Sequence, residues 1–344
     1  MRAGIINVTG YGGAELARIL SRHPELDVVS VTGRSSAGKR LAEVFPHLSG
    51  ADLPITEELD AETDLVFSAL PHAASAERLL PLIESGAKVI DFSADFRLKD
   101  VAVYSQWYKI DHPSPSTLEG AVYGLPELNR SEIRESNLVA NPGCYPTAAI
   151  LAMAPAVKGA LITEDVIVDA KSGVSGAGRA LSLNTHFSET NESVKAYSVG
   201  GHRHMPEITQ ELGRINPGPE LKLTFLTHLI PMTRGILVTG YAPLNTAVTG
   251  TGDTAVARVR EAYKQYFQDE PFVTVVDEPP ATKQTLGSNN CLVYPTVDVR
   301  TDRLIVIACI DNLVKGAAGA AVQSANIMLG LPETAGLQQL ALYP

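Results

Sequence analysis

Two textures of apolar and polar positions alternate along the first 140 residues. Short apolar runs, Gly4 to Val8, Val28 to Thr32, Leu65 to Leu70 and Val89 to Phe92, have the length of buried strands. Between them, apolar residues recur three and four apart, as in AELARILSRH after the first run and in Ala73 to Glu84, and this spacing predicts helices. Strands and helices alternating so closely predict βαβ units and a parallel sheet, with any ligand at the carboxyl ends of the strands. Asp111 to Ser116 holds two prolines and no period, so it reads as a loop. Leu138 to Ala140 reads as one more strand, running into Asn141-Pro-Gly-Cys144.

Past about Ala160 the texture changes. VIVDA, LKLTFLTHL, GILVTGYAPL, FVTVV, CLVYPTVDVR and RLIVIACI follow one another with Gly and Pro between them, and one clear helix, Thr254 to Phe267, interrupts the series. The pattern predicts a second, α+β domain: a mostly antiparallel sheet with helices on one face. Ala317 to Met328 is helical and rich in small residues. The expected fold class is therefore α/β, a Rossmann-type parallel-sheet domain joined to an α+β domain.

Composition narrows the function. The chain has 344 residues, room for two domains, and its 45% hydrophobic and 19% charged content is that of a folded globular protein. A formal net charge of -10 argues against nucleic acid or an anionic membrane as partner, since both need a basic surface. Cys144, Cys291 and Cys309 are too few and too scattered for a disulfide framework or a zinc site, so no metal is expected. The start, MRAGIINVTGYGG, lacks the pattern of a signal peptide, and no apolar stretch reaches the ~20 residues of a membrane span, so a cytoplasmic setting is expected.

Thr9-Gly10-Tyr11-Gly12-Gly13 joins the first strand to the first helix. Glycines there let a backbone approach a pyrophosphate, which sits on the free N–H groups of the helix start. The full dinucleotide fingerprint is absent, because Asn7 stands where a first glycine is usual, and glycine turns of this kind also occur for packing alone. The second strand sharpens the reading. It ends in Arg34-Ser35-Ser36 rather than in a carboxylate, and a guanidinium with two hydroxyls suits the 2′-phosphate of NADP(H).

Asn141-Pro-Gly-Cys144-Tyr-Pro-Thr places a cysteine between a forced turn and a helix start. Helix N-termini favour thiolate over thiol and can hold the oxygen of a tetrahedral adduct, so Cys144 is the candidate nucleophile. Cys291 and Cys309 lie in apolar strand runs and read as packing residues. GHRHMPEI supplies His202, His204 and Glu207. Two histidines beside an acid also suggest a metal, but their i, i+2 spacing does not share a helix face, and an imidazole acid/base is the preferred reading.

GYGGAELARIL, ALPHA, DFSADFRL, VYGLPEL, NPGCYPTA, GHRHMPEI, LIPMTRGI and IDNLVKGAAGAAVQSAN together resemble the N-acetyl-gamma-glutamyl-phosphate reductase family, over nearly the whole chain. The resemblance implies an NADPH-dependent reduction of N-acetyl-glutamyl 5-phosphate to the 5-semialdehyde, with release of inorganic phosphate, in arginine biosynthesis. It implies a fold like that of aspartate-semialdehyde dehydrogenase and glyceraldehyde-3-phosphate dehydrogenase. The NADP-binding domain would then be 1-143 with 317-344, and the catalytic and oligomerisation domain 144-316, in a homodimer or homotetramer. It puts the nucleophile on Cys144 and the acid/base on His202, oriented by Glu207, with His204 as the substitute. It assigns Arg97 to the leaving phosphate, Asn312 to the nicotinamide end, and Ser172 and Gly173 to a substrate-side loop. A sister enzyme of lysine biosynthesis, acting on a carrier-linked aminoadipyl phosphate, shares most of these blocks, and NPGCYP favours the arginine enzyme. A non-catalytic NADP-binding sensor and a cofactor-free thiol acyltransferase or hydrolase are the readings from other classes.

Overall fold

The apolar runs of the first 140 residues align as one parallel sheet in the computed structural model, which describes every residue except Pro217 and Pro219. Its strands are β1 (Arg2–Ile6), β2 (Asp27–Thr32), β3 (Ile55–Thr56), β4 (Leu65–Ser68), β5 (Lys88–Asp91), β6 (Val122–Tyr123) and β7 (Leu138–Ala140), in the spatial order β3-β2-β1-β4-β5-β7-β6. The central strands carry continuous apolar runs because both faces are covered: Ile5, Val66, Phe67 and Ile90 are all 0% exposed. The chain runs from β1 outward to β3 and then returns to the other side through β4. The order therefore reverses between β1 and β4, and the glycine turn after β1 lies at that switch point.

Two boundaries differ from the sequence reading. Asp111 to Ser116 is a loop only as far as Ser114, since Pro115 opens a short helix, Pro115–Gly120. The helix expected from Ala73 begins at Ala76 instead. The Asp95 carboxylate accepts the backbone N–H groups of Ala73, Ser75 and Ala76, which holds those residues in a turn with Ala73 at φ 66°.

This sheet belongs to a compact unit of Met1–Gly143 and Ala317–Gln339. The C-terminal helix Gly319–Met328 is part of it, lying against the helices Pro126–Glu135 and Tyr11–Leu20. The last five residues, Leu340–Pro344, group instead with the second unit, where the Leu342 N–H donates to the Leu286 carbonyl at 2.8 Å. The first unit therefore stops at Gln339, short of the residue 344 expected from the sequence.

The second unit, Cys144–Gly316 with that tail, is built on β8 (Asp165–Ser172), β9 (Lys195–Tyr197), β10 (Lys222–Leu229), β11 (Ile236–Pro243), β12 (Val273–Val275), β13 (Cys291–Asp298) and β14 (Arg303–Ile310). Their order is β12-β13-β14-β11-β8-β10-β9, antiparallel except for the β12–β13 and β8–β10 pairs. The helices Cys144–Lys158, Met205–Ile215 and Gly252–Tyr266 gather on one face. At Gly240 in β11 the first of these comes so close that a Cβ would meet the Met153 sulfur at 2.5 Å. On the opposite face Ile167, Tyr241 and Ile305 form a half-exposed row across three strands.

The helix Met205–Ile215 is not anticipated by the apolar pattern. Its buried side includes Glu207 and Glu211, each 1% exposed, beside Ile208 and Leu212, so polar letters mark the face that packs. Among the described residues no helix is long and apolar enough to cross a membrane.

Candidate active site

In the first unit, Asn7 adopts φ 63°, the left-handed conformation in which asparagine replaces glycine at small cost. Its side-chain amide donates to the Ala69 carbonyl at 2.7 Å, and its backbone N–H donates to the Thr32 hydroxyl at 3.2 Å. Asn7 thus ties together the chain just beyond β4, the end of β2 and the turn after β1. Gly13 is required by the fold: a Cβ would lie 2.5 Å from the Asn7 carbonyl oxygen and 2.7 Å from Val8 Cα, so the helix Tyr11–Leu20 could not seat. Gly10 and Gly12 differ. A Cβ at either would find its nearest neighbour at 3.7 or 3.5 Å, ordinary contact, so the protein's own packing does not demand their bareness. A bare turn at a switch point, opening a helix, fits a dinucleotide pyrophosphate.

Thr9 packs over Gly33, and Tyr11 stands 38% exposed at the helix start. Arg34, Ser35 and Ser36 form a single tight turn after β2; the first two are exposed and Ser36 is half-buried. The Arg34 guanidinium makes no bond to any described residue, whereas nearby Arg40 is tied to Asp52. A free guanidinium at this strand end fits a 2′-phosphate.

Arg97 does not fit the role expected of it. It is 4% exposed, and its guanidinium donates to the carbonyls of Asn141 at 2.8 Å and Phe92 at 2.7 Å. Turned into backbone oxygens, it braces the segment that leads to Cys144 rather than presenting a fork to a phosphate.

In the second unit the helix starts at Cys144 itself, and the thiol is half-buried. The Tyr145 hydroxyl donates to the His228 carbonyl at 3.0 Å, and the Tyr197 hydroxyl donates to that of Tyr145 at 3.1 Å. Burial pushes both phenols upward, and negative charge at Cys144 adds to the shift of each, so both hydroxyls stay protonated and lie within electrostatic reach of the thiol. His202 sits among Tyr145, Tyr197, Phe225 and His204, with ring centroids 4.7–5.6 Å away. Burial, reinforced by the Arg203 charge, pushes its pKa down to about 4.

The orienting partner of His202 is not Glu207. Nδ1 accepts the backbone N–H of His204 at 3.1 Å, while Glu207 is buried in the first turn of the following helix. With Nδ1 accepting, the neutral ring carries its proton on Nε2. His204 is half-buried at the helix cap, beside both His202 and Tyr145. Among the described residues no three His, Cys, Asp or Glu side chains cluster as a metal would need.

Three further expected contacts are taken up within the protein. Asn312, 1% exposed, donates from its amide to the Ser175 hydroxyl at 2.9 Å and accepts the Gly235 N–H at 2.8 Å, which makes it a brace between two loops. Ser172 is 2% exposed and donates to the Gly173 carbonyl. Gly173 lies so close to the loop at Met232–Arg234 that a Cβ would meet backbone atoms at 2.8–2.9 Å. These two clamp loop to loop rather than open toward a substrate. Tyr145 and Tyr197 were missed. Tyr145 could have been noticed as the neighbour of Cys144, but nothing in VKAYSVG marks Tyr197.

Both units resemble known domains. Residues 2–136 match the semialdehyde dehydrogenase NAD-binding domain, and residues 144–312 the semialdehyde dehydrogenase dimerisation domain. The chain is 57% identical over 343 residues to the N-acetyl-gamma-glutamyl-phosphate reductase of Dehalococcoides mccartyi, covering 100% of this chain and 99% of that one. It is 52% identical over 352 residues to that of Pelotomaculum thermopropionicum, again over 100% and 99%. Among solved structures, aspartate semialdehyde dehydrogenase II from Vibrio cholerae superposes with a TM-score of 0.71 at 18% identity, over 96% of this chain and 98% of that one. The aspartate semialdehyde dehydrogenase with NADP from Candida albicans gives 0.71 at 17%, over 95% and 98%. The low-identity structures share the fold; the full-length relatives settle the family, and this chain belongs to the N-acetyl-gamma-glutamyl-phosphate reductases.

Proposed function

We propose that this protein reduces N-acetyl-glutamyl 5-phosphate to N-acetyl-glutamate 5-semialdehyde and phosphate through a thioester on Cys144. The observation that carries the reading is a thiol at a helix start, within reach of two protonated tyrosine hydroxyls whose rings pack against a half-buried imidazole. Both full-length relatives named above are N-acetyl-gamma-glutamyl-phosphate reductases, which weighs against the carrier-linked aminoadipyl alternative.

Cys144, favoured as thiolate by the helix start, attacks the acyl carbon. A carbon–sulfur bond forms, the carbon–oxygen bond to phosphate breaks, and phosphate leaves with the electron pair. The glycine turn Thr9–Gly13 and Arg34 are the residues that would hold NADPH, which would supply the hydride for reduction of the thioester. His202 directs its Nε2–H at the carbonyl oxygen and stabilises the negative charge there before and after reduction. When the carbonyl re-forms, the carbon–sulfur bond breaks and Cys144 returns as thiolate. Arg97 and Asn312 act behind this chemistry by holding the loops that carry it.

The second unit presents Ile167, Tyr241 and Ile305 on the sheet face its helices leave uncovered, an apolar row suited to a second copy of the chain. This supports a homodimer or a larger homo-oligomer.

The reverse reaction tests the chemistry. NADP, phosphate and N-acetyl-glutamate semialdehyde should generate reduced nicotinamide only when phosphate is present, and Cys144→Ser should abolish it. Full turnover by the serine variant would sink the thioester.

A further inference from the structure

The segment Asp311 to Ala318 contains a feature the proposed chemistry does not yet use. Val314–Ala318 is a single π-helical turn, closed by the Gly316 N–H donating to the Asp311 carbonyl at 2.9 Å, five residues back. Such wide turns are uncommon and recur at functional sites. Here the widened turn brings Gly316 down onto the nucleophile. A Cβ at Gly316 would lie 2.8 Å from Cys144 Cβ, 3.2 Å from Cys144 Cα and 3.3 Å from the Ile310 Cδ1 atom. The first two are not the far ends of flexible side chains, so they cannot swing aside.

What would yield under such a contact depends on how firmly each side is held. The turn is held firmly. The Asp311 carboxylate, 0% exposed, accepts the N–H groups of Leu313 at 2.8 Å, Val314 at 3.2 Å and Gly287 at 2.7 Å. Asn312 is bonded on both ends of its amide. Lys315 is fully buried, with its ammonium 5.7 Å from the centroid of the Phe272 ring. Cys144 is the first residue of its helix and half-buried, so a shift forced on it would be felt at the sulfur.

We propose that Gly316 is a positioning residue for Cys144: its missing side chain lets a rigid π turn bear directly on the nucleophile's Cα and Cβ and so fixes where the sulfur sits. The inference rests on Cys144 being the nucleophile. A shift of the reacting atom by a fraction of an ångström to 1 Å can lower turnover by up to about 10²-fold, so a methyl group at 316 should act on rate before it acts on binding.

The test is Gly316→Ala in the full-length enzyme, with Gly240→Ala as control. Gly240 is equally crowded, in the same unit, but against the flexible Met153 side chain. Expected for Gly316→Ala are a kcat at least tenfold lower, a KM for acyl phosphate within threefold, unchanged NADPH affinity, and at least a fivefold change in the alkylation rate of Cys144 by iodoacetamide. Gly240→Ala should lower the melting temperature and leave the thiol rate alone. A folded Gly316→Ala enzyme within twofold of wild type in kcat and alkylation overturns the proposal, as does a loss that only follows the fraction unfolded. If Gly316→Ala does not fold, Lys315→Met decides: it should loosen the turn and shift the alkylation rate in the folded protein, and an unaltered rate with unaltered kcat overturns the idea. Cys144→Ser separates the two readings. Turnover by that variant removes the nucleophile itself, whereas its inactivity beside a fully active Gly316→Ala enzyme removes only the positioning role.

Discussion

Asn7 shows how a residue can satisfy a backbone without matching a motif. The left-handed φ is what a first glycine would supply, and the side chain adds a bond to Ala69 that glycine could not. Asn7→Ala should therefore lower stability by about 2–3 kcal/mol, from left-handed strain and a lost hydrogen bond together, and Asn7→Gly by less, as read from denaturant midpoints. Arg34 is the complementary case, exposed and unpaired among the described residues. Arg34→Ala should raise the KM for NADPH about 10–100-fold and barely alter that for NADH. His202→Ala should lower kcat about 10²–10³-fold, the scale of a lost oxyanion donor. Because burial depresses its pKa to about 4, the ring stays neutral throughout the working range and becomes charged only as the pH falls through that value. It should add no ionisation to kcat/KM between about pH 5 and 8, where an unperturbed histidine would titrate. The same depression means that its contribution to stability is complete above the ordinary histidine pKa and is lost as the pH falls toward 4. The helix start at Cys144 and the glycine turn after β1 are legible because each rests on contiguous letters. Asn312 differs from expectation because its partners, Ser175 and Gly235, come from distant segments, and a motif does not tell whether a side chain faces a ligand or a neighbouring loop.

At the scale of elements, the loops after β4 and β5 are held by buried acids. Asp95 gathers three amides from the first loop, and the Tyr104 hydroxyl donates to it at 3.1 Å. Asp91, 0% exposed, accepts the hydroxyls of Ser75 and Ser93. Burial outweighs those bonds and pushes the Asp91 pKa up to about 6. A carboxyl that holds its proton more tightly folded than unfolded makes the protein less stable as the pH rises from about 4 to 6. Asp91→Asn should remove that slope and leave the protein as stable or more so at pH 7, by on the order of 1–3 kcal/mol, measured as the shift in urea midpoint between acid and neutral buffer. Strands were read well because their runs are short, apolar and bounded by turns. The helix Met205–Ile215 escaped because two of its buried residues are glutamates, and the start of Ala76–Glu84 moved because a side chain 19 or more residues away captures its first amides.

For the whole molecule, the change of texture near residue 160 announced two sheets of different kinds, and the parallel and mixed sheets follow it. What the one-dimensional pattern could not supply was the fate of the extreme C-terminus, where the Leu342 N–H donates to the Leu286 carbonyl. The uncovered sheet face carries a consequence for assembly. Ile305→Glu should shift the protein toward monomer in sedimentation equilibrium with little effect on the fold, since the side chain is half-exposed in a single copy. An oligomer unmoved by that change would place the interface elsewhere.

The Arg97 clamp has a bearing on acid inactivation. A guanidinium cannot be discharged at any pH the fold survives, so the pair of carbonyls it grips is secured equally in vinegar and in lime water. Loss of function on the acid side should then originate elsewhere, and a lysine in its place, with a point charge instead of a planar fork, would not restore the grip.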